Sequence, residues 1–184
     1  MADIVLTIKQ LEDIFQALTV TLTGLNKEAG VRISWPTVGA PGWKITEDIA
    51  FIRVAPVNDP FAQQIETGYQ VDGPNPDLLA ERSYNRVHSV QWILYGPSSL
   101  DNADILRSNL FTESTKSTLK ANNLSLVTEV PVPQRFPESF NGQWWERADL
   151  SARFNELVIR KSTVSTIESA NITVVTDDGY KEVI

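Results

Sequence analysis

The stretch N-G-Q-W-W-E-R-A-D-L-S-A-R-F-N, residues 141–155, decides how the second half of this chain folds. Glu, Arg, Ala and Leu favour a helix by intrinsic propensity, yet the apolar residues do not recur at helical spacing. From Arg147 to Asn155 the odd positions are polar and the even ones, Ala148, Leu150, Ala152 and Phe154, are apolar, so all nine positions follow the two-residue period of a strand with one buried face. The best helical frame groups Leu150, Phe154 and Leu157 but turns Arg153 onto the buried side. Pattern outweighs propensity, and the segment reads as a strand from Trp144 to Arg160. Past Asn155 the phase shifts, because Leu157 and Ile159 are apolar at odd positions, which predicts a β-bulge at Glu156. The β-branched run at 162–179 then returns antiparallel, completing a long C-terminal β-hairpin.

Such a strand reaches ~55 Å at ~3.3 Å per residue. A globule of 184 residues has a radius of gyration of ~16 Å and is only ~40 Å across. Part of the hairpin must therefore curl, break at the bulge or project. A projecting strand leaves backbone donors and acceptors for another chain to cover, which predicts an oligomer. The two tryptophans at its entrance point to opposite faces, one to the core and one outward, and Arg147, Asp149 and Arg153 line the polar face as solvated charges or as salt bridges to a neighbour. Trp144, Trp145, Arg147, Asp149 and Arg153 are the candidate subunit interface.

In the first half, Ile8, Leu11, Phe15, Leu18, Leu22 and Leu25 form one apolar stripe along a helix, with T-I-K-Q at 7–10 as its capping box and Gly24 near its end. Strands are predicted at Val31–Trp35 and Ala50–Val54. The segment from Asn58 to Glu81 reads as a loop longer than compact domains usually carry, either functional in itself or ordered only by a partner. Trp35 and Trp43 flank a Pro/Gly loop, and with Tyr69 they are the candidate partner-contact loops. R-V-H-S-V-Q-W-I-L-Y-G, residues 86–96, reads as a central strand with Trp92 in the core, followed by a helix capped by Asp101, a second helical piece at T-E-S-T-K-S-T-L-K-A-N-N (residues 112–123) and a strand at L-S-L-V-T-E-V-P-V (residues 124–132).

The chemistry is bounded by what is missing. With no cysteine, disulfides, thiol catalysis and thiolate metal sites are excluded. The one histidine, His88, lies inside the predicted central strand without a nucleophile elbow, and G-P-S-S at 96–99 lacks the lysine of a phosphate loop. The acidic pairs Glu12/Asp13, Glu47/Asp48 and Asp177/Asp178 read as a helix face, a loop and a turn. The expectation is no enzyme, no cofactor and no metal. A net charge of −7 argues against tight binding to a phosphate backbone. No apolar run is long enough for a spanning helix, and the N-terminal residues lack the pattern of a secretory leader, so synthesis in a cytoplasm is expected.

The order of elements carries a resemblance: a strand (V-H-S-V-Q-W-I-L-Y-G), a helix (D-N-A-D-I-L-R-S-N-L-F), a strand ending in prolines (L-S-L-V-T-E-V-P-V-P), then a Trp-Arg lead, with Trp145, Arg147 and Leu150, into a long alternating strand. This resembles the neck or tail terminator proteins of tailed bacteriophages, also known as tail completion proteins, over nearly the whole chain. The resemblance implies one α+β domain over 1–184, mainly antiparallel sheet with two or three helices packed on it. It implies a structural protein of the virion that forms a ring, hexameric in such proteins, at the head-proximal end of the tail tube. That ring would stop tube polymerisation, join the tail tube to the head–tail connector or collar, leave contact with a sheath open, and leave an axial channel through which DNA passes without specific binding. A head–tail adaptor, tube or baseplate component stays open as an alternative, as does a cellular module using Trp35 to Trp43 as a pocket.

Overall fold

The computed structural model describes residues 3–34, 42–71, 77–166, 173–175 and 181–183. Helix α1 (Ile8–Thr23) begins with the expected capping box: Gln10 N–H donates to Thr7 Oγ1 at 3.2 Å, and Thr7 N–H donates to Gln10 Oε1 at 2.8 Å. It ends at Gly24, whose φ of 74° suits a residue without Cβ. The stripe holds for Leu11, Phe15 and Leu18, which are buried, while Ile8 is exposed.

Strand β1 (Val31–Ile33) runs parallel to β2 (Ile49–Val57). After a 3-10 turn at Pro60–Gln63 comes β3 (Ile65–Val71), then β4 (Leu78–Tyr95). Both β2 and β3 pair antiparallel with β4, β2 against its second half and β3 against its first, so they lie end to end along one edge. The segment from 58 to 81 is therefore largely a turn and a hairpin rather than a long loop. Helices α2 (Ser99–Asn109) and α3 (Glu113–Ala121) follow, then β5 (Leu124–Leu126), β6 (Gln134–Arg135), β7 (Glu138–Phe140), β8 (Gln143–Trp145) and β9 (Arg147–Val164). Strand β9 occupies the other edge of β4, and all 18 residues of each are in antiparallel register, from Leu78 opposite Val164 to Tyr95 opposite Arg147. β5 and β6 pair with the far edge of β9.

The class is α+β as expected: three helices with a mainly antiparallel sheet and a long C-terminal strand. Several local expectations also change. The long strand starts at Arg147, and Trp144 and Trp145 belong to a separate β7–β8 hairpin closed by Asn141 (φ 51°) and Gly142 (φ 74°). The partner of β9 is β4, upstream, while β10 (Thr173–Val175) pairs with β11 (Lys181–Val183). The expected Asp101 cap is also displaced. Asp101 lies in the first turn of α2, and Ser98 N–H instead donates to Asp48 Oδ1 at 2.9 Å. Asp48 reaches it because Gly96, at φ 110°, has no Cβ; one built there would lie 2.5 Å from Asp48 Oδ1 and 2.6 Å from the Glu47 carbonyl oxygen.

Even-numbered residues of β4 and β9 face the helices. Trp92 is fully buried and donates its indole N–H to Thr19 Oγ1 at 2.8 Å, and Phe154 stacks against Phe15 with ring centroids 4.6 Å apart. Each such ring removes a large apolar area from water, about 1.5–3 kcal/mol per side chain.

The bulge at Glu156 is absent. Register continues through Arg86 opposite Glu156 and Asn85 opposite Leu157. Glu156 holds the core-facing position at 0% exposure and Leu157 turns outward. What looks in the sequence like a phase shift is a carboxylate on the buried face. Its Oε1 accepts from Leu6 N–H at 2.8 Å; its Oε2 accepts from Arg86 Nη2 at 2.7 Å and lies 2.7 Å from His88 Nε2. Burial pushes this carboxyl up, but the Leu6 amide, His88 and Arg86 together outweigh it and hold its pKa below the ordinary carboxylate value. Arg86 Nη2 also donates to the Leu6 carbonyl at 2.7 Å, tying the chain that enters α1 across the β4–β9 pair. A depressed pKa stabilises the fold at pH above the unfolded carboxylate range, and that contribution is lost as pH falls through the folded value. Replacing Glu156→Gln should lower unfolding free energy near neutral pH by about 3 kcal/mol, measured by urea denaturation. The gap between variant and wild type should narrow below pH ~4.

Candidate functional site

The face of the sheet opposite the helices carries odd-numbered residues of β4 and β9, and at one end it gathers half of the residues singled out in the sequence, Trp43, Trp145, Arg147 and Asp149. Trp43, in the chain leading to β2, packs on Phe51, Tyr95 and Trp145 with centroid separations of 5.0, 5.6 and 5.8 Å. Phe140 adds a further edge contact to Trp145 at 6.5 Å. Trp43, Tyr95, Phe140 and Trp145, with Gly42 and Glu138, line a cavity of ≈ 410 Å³. Register explains the meeting: Ile49 and Arg147 flank Tyr95 on its two sides, and the β7–β8 hairpin folds Trp145 back over them.

Arg147 organises the polar rim. It binds Asp149 through two hydrogen bonds of 2.7 Å, from Nε to Oδ1 and from Nη2 to Oδ2, and reaches Glu138 Oε2 at 3.1 Å, with its guanidinium 5.9 Å from the Tyr95 ring centroid. Tyr95 O–H donates to Glu138 Oε2 at 2.8 Å. Burial, then the Glu138 carboxylate, push the Tyr95 phenol up to about 12. Donation from Tyr95 and Arg147 holds Glu138 below the usual carboxylate range, and the Asp149 contact raises Arg147. A planar, doubly hydrogen-bonded pair of this kind fixes geometry more than it adds stability where water reaches it. Arg147 and Asp149, expected as interface residues, thus already engage each other within the subunit.

The other candidates separate. Trp144 is 72% exposed on the β7–β8 hairpin, opposite Ser139 and on the other face from Phe140. Arg153 lies further along β9, paired with Glu129 at 3.0 Å. Tyr69 sits in β3 opposite Ala80, fifteen residues along β4 from Tyr95, or ~50 Å in an extended strand. Trp35 lies outside the described residues. Sequence reasoning missed Glu138, Tyr95 and Phe140. One signal was available, since Asn141-Gly142 between Phe140 and Gln143 is the two-residue turn that closes tight hairpins.

The arrangement offers packing surface and fixed charge rather than a reacting group. Among the described residues no cluster of three or more His, Cys, Asp or Glu converges as metal ligands. His88 is engaged by Glu156 in the interior. No described helix is long and apolar enough to cross a membrane.

The phage neck terminator protein family matches residues 9–178, nearly the whole chain. The chain belongs to that family. No curated protein matches it. As a neck terminator it is a structural protein of the phage, located in the tail or neck of the virion and working against other tail and neck proteins.

The two adjacent tryptophans of this neck terminator have different environments, which separates their roles experimentally. Trp145→Ala should lower the melting temperature by several degrees, as loss of a packed aromatic costs about 3 kcal/mol, and should reduce the near-ultraviolet circular dichroism of the Trp43–Trp145 pair. Trp144→Ala should leave both measurements within error of wild type.

Proposed function

We propose that this neck terminator closes into a ring, hexameric by analogy with tail terminators, at the head-proximal end of the tail tube, each subunit contributing one domain spanning 1–184. The ring ends tube polymerisation and presents a surface to the head–tail connector or collar. The observation that carries this reading is the family match across residues 9–178. The architecture supports it: a β4–β9 ribbon longer than the helix layer, and an exposed Trp144–Phe140 hairpin beside a rigid Arg147–Asp149–Glu138 rim. Trp144 is the residue of this hairpin that meets the next subunit or the tube, while Trp145, Arg147 and Asp149 hold the hairpin in place. Arg153 and, outside the described residues, Trp35 remain candidate contacts.

An axial channel would pass DNA without gripping it. The net charge of −7 supports that, because binding to phosphates depends on lysine and arginine displacing counterions. Genome passage would then depend on the channel's width rather than on sequence readout.

The decisive experiment deletes the gene in the phage that carries it. Tails of uncontrolled length, unattached to heads, are expected, with the protein restored in trans decorating one tube end by immunogold labelling. Normal-length tails joined to heads without the protein would overturn the reading. In the same complementation assay Trp144→Ala should reduce joined particles by about tenfold while the purified variant melts like wild type, as expected when a central aromatic anchor of an interface is truncated.

A further inference from the structure

The helix-facing side of the sheet continues beyond the helices that cover it. Past Arg86, strands β3, β4 and β9 run on together as a three-stranded arm, from Ile65 opposite Tyr84 to Leu78 opposite Val164. Register carries the core-facing side into this arm, where it is formed by Ile65, Tyr69, Val71, Leu78 and Val164 around Arg82. Its reverse carries Glu66, Gln70, Glu81 and Lys161. The arm alternates as a half-buried sheet does, yet along β3 its apolar side is largely exposed, Ile65 at 60%, Tyr69 at 61% and Val71 at 74%, while Ala80 beside Tyr69 is buried. Arg82 is exposed among them.

A matching surface lies on α2. Its inner side buries Ala103 and Leu106 against the sheet, while Leu100 and Ile105 are exposed on its outer side with Asp101 and Asp104, and Phe111 extends the patch just beyond the helix. One surface is apolar with arginine, the other apolar with aspartate. In shape both repeat what the subunit already does internally, a sheet face against a helix.

We propose that the arm of one copy docks, by this apolar side, on the outer face of α2 of a second copy, leaving α2 held between two sheets. The occupant is a second copy because the two patches complement each other in charge and both carry apolar side chains exposed among the described residues of the same chain. They are also different patches, so each copy gives one and receives one; this head-to-tail contact is the kind that generates a ring when its rotation closes. The inference rests on the ring reading of the function and names the surfaces that would build it.

The absence of cysteine makes the test direct. Single substitutions Tyr69→Cys and Ile105→Cys are made in the full chain, and the two proteins are oxidised separately and as an equal mixture, both concentrated in solution and co-assembled into necks. A disulfide-linked dimer confined to the mixture is expected. Links within Tyr69→Cys alone or Ile105→Cys alone, or no link in either setting, would overturn the contact. Charge reversal supplies an independent readout through neck assembly: Arg82→Glu and Asp104→Arg should each reduce it by about tenfold, since like charges facing across an interface are costly. The double variant should recover most of the loss, and a double variant no better than the singles overturns the pairing. Closed rings lacking the cross-link would sink this contact and leave the ring reading standing. A cross-link found in open filaments would do the reverse.

Discussion

The antiparallel pairing of β4 with β9 along all 18 residues of each strand is the constraint on which the rest of the molecule depends. At ~3.3 Å per residue the ribbon is nearly 60 Å long, longer than the helices packed on it can cover. One half therefore becomes the centre of an ordinary core, with Trp92 and Phe154 under α1, and the other half becomes an arm. Four further strands pair directly with this ribbon: β2 and β3 succeed each other along the β4 edge, and β5 and β6 share the edge of β9. Because pairing in a sheet has a two-residue period, a slip of one would turn Phe154 and Leu150 outward and Arg153 inward. The long register is thus strongly specified wherever one face is buried.

Glu156 sits near the transition from core to arm. A carboxylate at 0% exposure is tolerated because three donors converge on it from two elements: the Leu6 amide before α1, and Arg86 and His88 of β4. Leaving any such group unpaired in the interior would cost more than the pair contributes in water-exposed form. The network consequently does more to specify geometry than to add stability. It holds the N-terminal segment across the ribbon, where Ile4 and Ile159 exchange backbone hydrogen bonds and Asp3 accepts from the Lys161 amide at 3.0 Å. The part of β9 that leaves the core is therefore braced before it projects.

The elements with a clean period were legible in the sequence. The capped helix α1, the alternating half of β9, Trp92 in the core and the strand–helix–helix order after it all follow from spacing. Errors arose where tertiary context supplies what local pattern lacks. Glu156 imitated a bulge because a buried charge is read as polar, and its partners are 68, 70 and 150 residues away. The segment after Asn58 imitated a loop because β3 is exposed along its whole length and has no buried face to announce it. The Asp48 contact to the Ser98 amide at the start of α2 was invisible, since that carboxylate arrives from fifty residues upstream through the space left by Gly96. Of the candidate site, the meeting of Trp43 with Trp145 depends on the β7–β8 hairpin, which Asn141-Gly142 announces but the run of alternation after it obscures.

The two ends of the ribbon differ in a way that bears on assembly. At the Tyr95–Arg147 end, aromatic rings and charges are already satisfied within the subunit: Trp145 stacks on Trp43, and Arg147 is held by Asp149 and Glu138. This end is rigid before anything docks, so ordering it costs a partner little entropy. At the arm end Ile65, Tyr69 and Val71 stay largely exposed around Arg82 on the core-facing side, while Glu66, Glu81 and Lys161 line the reverse. Edge strands with charged neighbours resist pairing with arbitrary chains, whereas a bare apolar face favours a specific, area-burying contact. A subunit with one preformed platform and one uncovered arm is suited to directional assembly, in which each copy is completed by the next rather than by a mirror contact with itself.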